Sequence, residues 1–180
     1  MPVARTRPPG LRPGAARRCR FRVRRAPRQG GARGTGGAEV TTADENRRVI
    51  EGFWEDLYRQ DLEAAAARFT ADGEYTDVAT PGDDVARGPA EIVRRLTLGW
   101  GPLAGMRDER RHLVAGDDAV MTEHVEVWEW PTGETMALPV ASVHELRGGK
   151  ITRWTDYWDM ALLVSSAPQW WFEHVMEGWK

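Results

Sequence analysis

The sequence has little cysteine and no long apolar run, and each absence excludes a class of protein. Its single cysteine, Cys19, excludes disulfides within the chain and zinc sites built from cysteine. No run of about 20 apolar residues is present that would span a membrane, and the first residues lack the apolar stretch of a signal peptide. We therefore expect no membrane partner and a cytoplasmic location.

Several metal and cofactor motifs are also absent. No His-Glu-x-x-His is present, and the His-x-Glu at residues 124–126 lacks the Pro-Cys-x-x-Cys partner of zinc deaminases. Gly148-Gly149-Lys150 is not a phosphate loop, because position 144, where that pattern needs glycine, is histidine. Neither a dinucleotide fingerprint nor a Gly-x-Ser-x-Gly occurs. We therefore expect neither a metal nor a cofactor.

Acidic residues are absent from the first 38 residues, which contain eleven arginines. All 27 Asp and Glu lie at or beyond Glu39, where 14 basic residues leave a formal charge of −13. Residues 1–38 are rich in Pro, Gly and Ala and poor in bulky apolar side chains, and such a composition cannot build a core. We expect a disordered tail at 1–38 and one folded domain at 42–180.

Three interpretations of the 1–38 tail stay open. In the first interpretation the tail is an extension without function, for instance one that results from a mis-assigned start codon in a GC-rich gene. The chain has 23 arginines and two lysines, a ratio that is consistent with such a gene. The tail is alternatively a basic arm for nucleic acid, although Phe21 is its only aromatic residue, or a transit peptide, although it lacks serine. The first interpretation is preferred, so no nucleic-acid partner is expected.

Helical patterns open the 42–180 domain and recur at its end. Thr42 to Glu45 has the sequence of a capping box, and apolar residues at helical spacing predict a first helix to about Arg59. A second, short helix is predicted near Asp61. Gly88-Pro89 opens a third helix, and a last helix is predicted from Pro168.

Strands are predicted where the apolar period changes to two. A turn at Asp72-Gly73 precedes a short strand at 74–78, and a loop follows at 80–84. Four longer strands are predicted in a row, at 107–115, 119–130, 134–147 and 150–159. This order indicates an α+β fold, with a curved antiparallel or mixed sheet wrapped over the helices as a cone. A sheet bent in this way leaves a cavity that can bind a ligand.

Two of these strands carry acids among tryptophans on one face. Side chains alternate between faces along a strand, so the following residues share a face: His124, Glu126, Trp128 and Trp130 in one strand, and Trp154, Asp156 and Trp158 in the other. Carboxyls among indoles are poorly solvated, and desolvation raises their pKa. Two close carboxyls also tend to hold one proton between them. Glu126 and Asp156 therefore form the predicted acid–base pair.

Two segments resemble the limonene-1,2-epoxide hydrolase family. They read VWEWPTGE at residues 127–134 and GKITRWTDYWD at residues 149–159. That family belongs to the SnoaL-like, nuclear transport factor two-like cone fold, which ketosteroid isomerases and polyketide cyclases share. The resemblance covers roughly residues 46–159 and implies a cofactor-free, homodimeric enzyme that opens an epoxide in one step.

The resemblance also implies roles for five residues. In the family an Asp acid protonates the ring oxygen, a second Asp takes a proton from water, an Arg holds both, and a Tyr and an Asn bind the water. The second Asp matches Asp156 and the Tyr matches Tyr75, whereas the family's Arg-x-Asp is His124-Val-Glu126 and its Asn is Asp77. The implied roles are Asp156 as base, Glu126 as acid and His124 as the bridge, with Tyr75 and Asp77 positioning water.

Apolar residues on the same strand faces are predicted to line a pocket for a small apolar molecule. They are Trp128, Leu138, Val140, Trp154 and Trp158. The tryptophans have an equal alternative interpretation as plain core residues.

Three functions stay open on these grounds. The leading hypothesis is a hydrolase that adds water to a small apolar epoxide. An isomerase or polyketide cyclase would instead use Asp156 or Asp77 to move a proton next to a carbonyl. A non-catalytic member of the fold would bind a small ligand without turnover.

Overall fold

The computed structural model describes residues 41–80 and 84–179, and these residues form five helices and six strands. In chain order the elements are α1 (Ala43–Tyr58), α2 (Leu62–Ala66), β1 (Phe69–Asp77), β2 (Ala86–Arg87), α3 (Gly88–Trp100), β3 (Gly105–Ala115), β4 (Ala119–Glu129), β5 (Thr135–Arg147), β6 (Lys150–Trp158), α4 (Met160–Ser166) and α5 (Gln169–Gly178). The tail predicted at 1–38 lies outside the described residues, as do residues 81–83 of the predicted loop.

The strands form one curved, mixed sheet in the order β2-β1-β6-β5-β4-β3. Strands β3 to β6 are the predicted antiparallel meander. Strand β1 pairs in parallel with β6, so the start of the domain lies beside its last strand. The α+β cone fold is confirmed. None of the helices that the structure describes has both the length and the apolar character needed to cross a lipid bilayer.

Helix α1 begins at the predicted capping box and covers the concave face of the sheet. The Thr42 side chain accepts a hydrogen bond from the Glu45 amide, and the Glu45 carboxylate accepts one from the Thr42 amide at 2.8 Å. These bonds satisfy two amides that the first turn of a helix leaves unpaired. The inward side chains of the helix are completely buried: Ile50, Phe53, Trp54 and Leu57.

The predicted turn at Asp72-Gly73 is wrong, because β1 runs without interruption from Phe69 to Asp77. Its pairing with β6 shifts register between Phe69 and Glu74, so this stretch is a bulged strand. A Cβ at Gly73 would lie 2.9 Å from Cδ1 of Phe69. The glycine therefore allows a close approach within the strand, a role that local sequence does not distinguish from a turn.

Two short elements were not predicted. Helix α4 begins directly after β6, where the Asp159 side chain accepts hydrogen bonds from the amides of Ala161 and Leu162. Aspartate is a preferred N-cap residue, so Asp159 was the indication of α4 in the sequence. Strand β2 has only two residues, which is too short for a periodic pattern.

Candidate active site

A cavity of about 380 Å³ lies between the concave face of the sheet and helices α3, α4 and α5. This volume falls within the range of small-molecule sites, about 300–1,000 Å³. Most of its wall is apolar, and the apolar residues include Leu96, Trp100, Trp128, Leu138, Val140, Trp158, Leu163, Trp171 and Val175. A few polar side chains also line it, among them Tyr75, Asp77, Arg95, Glu126 and Asp156. Such a cavity would hold an apolar molecule against a small set of ionisable groups.

Asp77 and Asp156 are direct neighbours on the parallel strands β1 and β6. The same pairing sets Tyr75 beside Trp154, whose rings stack at a centroid distance of 4.0 Å. Since residues opposite each other on paired strands share a face, both carboxyls lie on the inner side of the sheet. This adjacency depends on a parallel pairing that the sequence analysis did not predict.

Asp156 is buried, with 3% of its surface exposed. Its Oδ1 accepts hydrogen bonds from the Ser142 hydroxyl and the Trp154 indole N–H, each at 2.5 Å. Burial raises the pKa of Asp156 well above its usual range, and the negative charges of Asp77 and Glu126 raise it further, while the two hydrogen bonds oppose the shift. The net direction favours the protonated form of Asp156.

Asp77 is also buried, and its surroundings act on its pKa in both directions. Its Oδ1 accepts hydrogen bonds from the Tyr75 hydroxyl and the Trp158 indole N–H, each at 2.9 Å. Burial raises the pKa of Asp77, while these two hydrogen bonds and the positive charge of Arg95 act against the shift. Burial also raises the pKa of Tyr75, so its hydroxyl stays a donor to Asp77.

Glu126 is as buried as Asp156 but accepts weaker hydrogen bonds. Its Oε2 accepts a hydrogen bond from the Trp128 indole N–H at 2.9 Å, and its Oε1 lies 3.4 Å from Nε2 of His124. His124 packs its ring edge-on against Trp54 at 4.5 Å and is not among the residues that line the cavity. Among the described residues, no hydrogen bond joins His124 to Asp156. His124 thus contacts one of the two carboxyls that it was predicted to bridge.

The predicted pocket residues divide into two groups. Trp128, Leu138, Val140 and Trp158 line the cavity. Trp154 has no exposed surface and lies in the core, against Phe53 at 4.9 Å as well as Tyr75, so the alternative core interpretation describes its position. From the core it reaches the site through its indole N–H, which donates to Asp156.

Arg95 lines the cavity and was not predicted. It lies on the inner side of α3 with 6% of its surface exposed, and its Nη2 is 2.8 Å from Oδ1 of Asp84. The guanidinium also lies over the ring of Trp179 at 4.3 Å, a cation–π contact. The spacing in the sequence indicated this inward position, because Arg95 shares a helical face with the apolar residues Ile92 and Leu96.

Strand β3 adds an ion pair beside Glu126 that the sequence analysis also missed. Asp108 pairs with Glu126 across the strands, and Arg110 pairs with His124. Nη2 of Arg110 lies 2.7 Å from Oδ2 of Asp108. Both are more buried than the side chains on either side of them along β3. Residues 107–112 are charged or titratable at every position, so the sequence has no apolar–polar alternation that would have shown which of them face inward.

The arrangement is suited to proton transfer in an apolar setting. It combines a carboxyl that tends to stay protonated, Asp156, with two further carboxyls, Asp77 and Glu126, on the same concave face. Within residues 41–80 and 84–179, no group of three or more His, Cys, Asp or Glu side chains is arranged to hold a metal ion. A bound molecule would meet an acid and a base on different strands.

Comparison with known proteins gives one family and several similar structures. The sequence profile of the SnoaL-like domain family matches residues 47–154. An LEH-like epoxide hydrolase of M. tuberculosis is 24% identical, with a TM-score of 0.57 over 76% of this chain and 93% of that one. TerC, co-crystallized with polyporic acid, is 21% identical, with a TM-score of 0.60 over 68% and 97%. SalBIII, an epoxide hydrolase/cyclase-like enzyme in pyran ring formation, is 18% identical, with a TM-score of 0.57 over 66% and 94%. At these identities the likeness shows a shared fold.

Proposed function

The chain belongs to the SnoaL-like domain family, and from this premise we propose that it adds water to a small, largely apolar epoxide without a cofactor. The observation that carries the proposal is Asp156, a carboxyl whose pKa is raised by burial at the wall of an apolar cavity that also contains Glu126. An epoxide needs a proton on its oxygen as the ring opens, and a carboxyl that is protonated near neutral pH can supply it. The fold shared with the LEH-like epoxide hydrolase is compatible with this chemistry.

In this proposal Asp156 is the acid and Glu126 the base, the reverse of the roles that the resemblance implies. Asp156 donates its proton to the ring oxygen as the carbon–oxygen bond breaks. The oxygen of a water molecule attacks the ring carbon, and Glu126 accepts a proton from that water. The product is a diol, and the proton on Glu126 then returns through solvent to Asp156. The reason for the reversal is that Asp156 is buried and also lies directly beside a second carboxyl, Asp77, and both conditions favour its protonated form.

The spacing of the strands supports Glu126 rather than Asp77 as the base. Asp156 and Glu126 lie on β6 and β4, with β5 between them, and their partners on β5, Ser142 and Leu138, are about 13 Å apart along that strand. Both side chains line the same cavity from separate parts of its wall, so a bound epoxide can have the acid on one side and water on the other. Asp77 lies directly beside Asp156. We assign Asp77 and Tyr75 to keeping Asp156 protonated. We assign His124 to keeping the Glu126 carboxylate in position.

One observation favours a second function, isomerisation or cyclisation next to a carbonyl. The neutral carboxyl of Asp156 lies beside Asp77, and a protonated acid can donate a hydrogen bond to a carbonyl oxygen while a neighbouring carboxylate moves a proton. In that reaction no water enters the product.

The test is mass spectrometry of the products from a panel of small cyclic epoxides in water labelled with heavy oxygen. The wild type should give a diol that carries one labelled oxygen, and Asp156→Asn should give none. Glu129→Gln, an exposed acid on the outer face of β4, is the matched control and should keep the wild-type rate. A product of unchanged mass would favour isomerisation, and tight binding without any product would favour a ligand-binding protein.

We further propose that the chain forms a homodimer, as its resemblance to the epoxide hydrolase family implies. Light scattering of the purified protein tests this directly. A mass equal to one chain across the accessible concentration range would contradict it.

A further inference from the structure

Glu126 lies between two environments, the apolar cavity and a polar depression on the protein surface. On one side it lines the cavity. On the other side its cross-strand neighbour is Asp108, which lines a separate open depression together with Tyr58 and Arg110. Opposed residues in antiparallel strands have Cβ atoms about 5 Å apart, so Asp108 connects this depression to Glu126. We call the region of Tyr58, Asp108 and Arg110 the polar depression.

The polar depression contains buried polar atoms without protein partners. Within the described residues, no hydrogen bond reaches the Tyr58 hydroxyl, Oδ1 of Asp108, Nε of Arg110 or Nδ1 of the adjacent His124. Buried polar atoms in folded proteins are almost always hydrogen-bonded, either to protein or to ordered water. A site with three or more such atoms offers water the two to four partners that it needs. These atoms offer hydrogen-bond partners to water beside Asp108, the cross-strand neighbour of Glu126.

We propose that the attacking water reaches Glu126 through the polar depression and not through the mouth of the apolar cavity. The inference rests on the proposed function, because it takes Glu126 as the base that activates water. It assigns Tyr58, Asp108 and Arg110 to binding and delivering the nucleophile.

The composition of the cavity gives the physical reason. Its helical wall carries apolar side chains such as Leu163, Phe172 and Met176, which offer water no hydrogen bonds. A bound apolar substrate would also occupy this space, so water on that side would have to pass the substrate. The polar depression approaches the same carboxylate from β3, through Asp108, and shares no lining residue with the cavity, so a substrate in the cavity does not occupy it.

A competition between nucleophiles tests the route. Methanol can replace water in the reaction: its oxygen attacks the ring carbon, Glu126 accepts its proton, and the product is a hydroxy ether instead of a diol. In a fixed water–methanol mixture, the ratio of ether to diol reports how easily each nucleophile reaches Glu126. Because both products come from the same folded enzyme, this ratio does not depend on how much of a variant folds.

Two truncations on opposite sides of Glu126 give opposite expectations. Tyr58→Ala widens the polar depression and should raise the ether-to-diol ratio severalfold, because methanol is larger than water. Met176→Ala widens the wall of the apolar cavity and should change the KM for the epoxide while leaving the ratio unchanged. If Tyr58→Ala does not fold, Asp108→Ala widens the same depression from β3. A ratio that responds to Met176→Ala and not to the other variants would overturn the proposal.

A crystal structure with a non-reactive apolar ligand in the cavity gives a second readout, independent of activity. Ordered water between Tyr58, Asp108 and Glu126 is expected in that structure. Closely packed protein without water at this place would overturn the water route, even if the enzyme forms a diol. Conversely, a protein that holds this water but forms neither diol nor ether would contradict the proposed hydrolysis alone.

Discussion

The carboxyls on the two sides of the cavity differ in how many hydrogen bonds they receive. On the β1 and β6 side, Asp77 and Asp156 each receive two hydrogen bonds on one oxygen, from a hydroxyl and an indole N–H. On the β3 and β4 side, Glu126 has one good hydrogen bond and a 3.4 Å contact with His124. Several buried polar atoms next to it, including the Tyr58 hydroxyl, have no partner among the described residues.

This difference indicates that the orientation of Asp77 and Asp156 is fixed, whereas Glu126 can exchange its hydrogen-bond partners. A carboxyl that accepts two hydrogen bonds on one oxygen is held in one orientation, which suits a group that must direct a proton to one atom. A carboxyl with free hydrogen-bonding capacity can bind and release a small polar molecule in each turnover. The paired side is therefore suited to the acid, and the partly paired side to the base and its water.

The largest expected effect is on the paired side. Asp156→Asn removes the proposed proton donor but keeps the shape of the side chain, and the amide oxygen can still accept from Ser142 and Trp154. We expect the kcat for epoxide opening to fall by about 10²–10⁴-fold, with the circular dichroism spectrum unchanged. A kcat within about tenfold of wild type would contradict the role of Asp156 as the acid.

On the partly paired side, Glu126→Gln removes the proposed base. We expect a loss in kcat of about 10²-fold or more, measured by the same assay, with little change in KM. Glu129→Gln makes the identical change on the opposite face of β4 and should leave kcat unchanged. Equal losses of kcat in Glu126→Gln and Glu129→Gln would show that Glu126 contributes only its negative charge on β4.

Stability should distinguish two tyrosines, one on each side. Tyr75→Phe removes the hydroxyl that donates to Asp77 at 2.9 Å, and should lower the free energy of unfolding by about 1 kcal/mol. Tyr58→Phe removes a hydroxyl without a protein partner, so its effect should stay below about 0.5 kcal/mol. Urea unfolding of both variants measures this contrast, and a larger loss for Tyr58→Phe would reverse the comparison.

The two carboxyls of the paired side should contribute a gradual slope to the pH dependence of stability. A carboxyl with a higher pKa in the folded state stabilises the fold at low pH, and this contribution is lost as the pH rises through the folded pKa. Burial raises the pKa of both Asp156 and Asp77 above the ordinary value of 3.8. These two carboxyls should therefore lower the free energy of unfolding as the pH rises above 3.8, and Asp156→Asn should remove part of this contribution. His144, whose burial lowers its pKa to about 3, contributes with the opposite sign in both proteins, so the difference between wild type and variant is the quantity to compare. Urea unfolding at a series of pH values tests this, and an unchanged slope in the variant would contradict it.

Features encoded over short stretches of sequence were predicted well. The capping box of α1 is formed by Thr42 and Glu45 as expected, because both partners lie within one turn. The strands β3 to β6 follow from alternating side chains, and the same alternation placed Glu126 and Asp156 on buried faces. Gly73 was misassigned because a glycine next to aspartate favours a turn, and only the contact with Phe69 in the folded chain gives it another role.

The sequence by itself determined four of the five helices in the described residues, the meander and the inward direction of its acids, because these depend on interactions between residues close in the chain. Only the tertiary structure decided which groups meet. Asp77 lies beside Asp156 through the parallel pairing of β1 with β6, Arg95 reaches the cavity from α3, and Asp108 comes to Glu126 across β3. Chain folding alone brings such residues together, and their mutual burial then sets the pKa of Asp156, so the charge state of the site is a property of the fold.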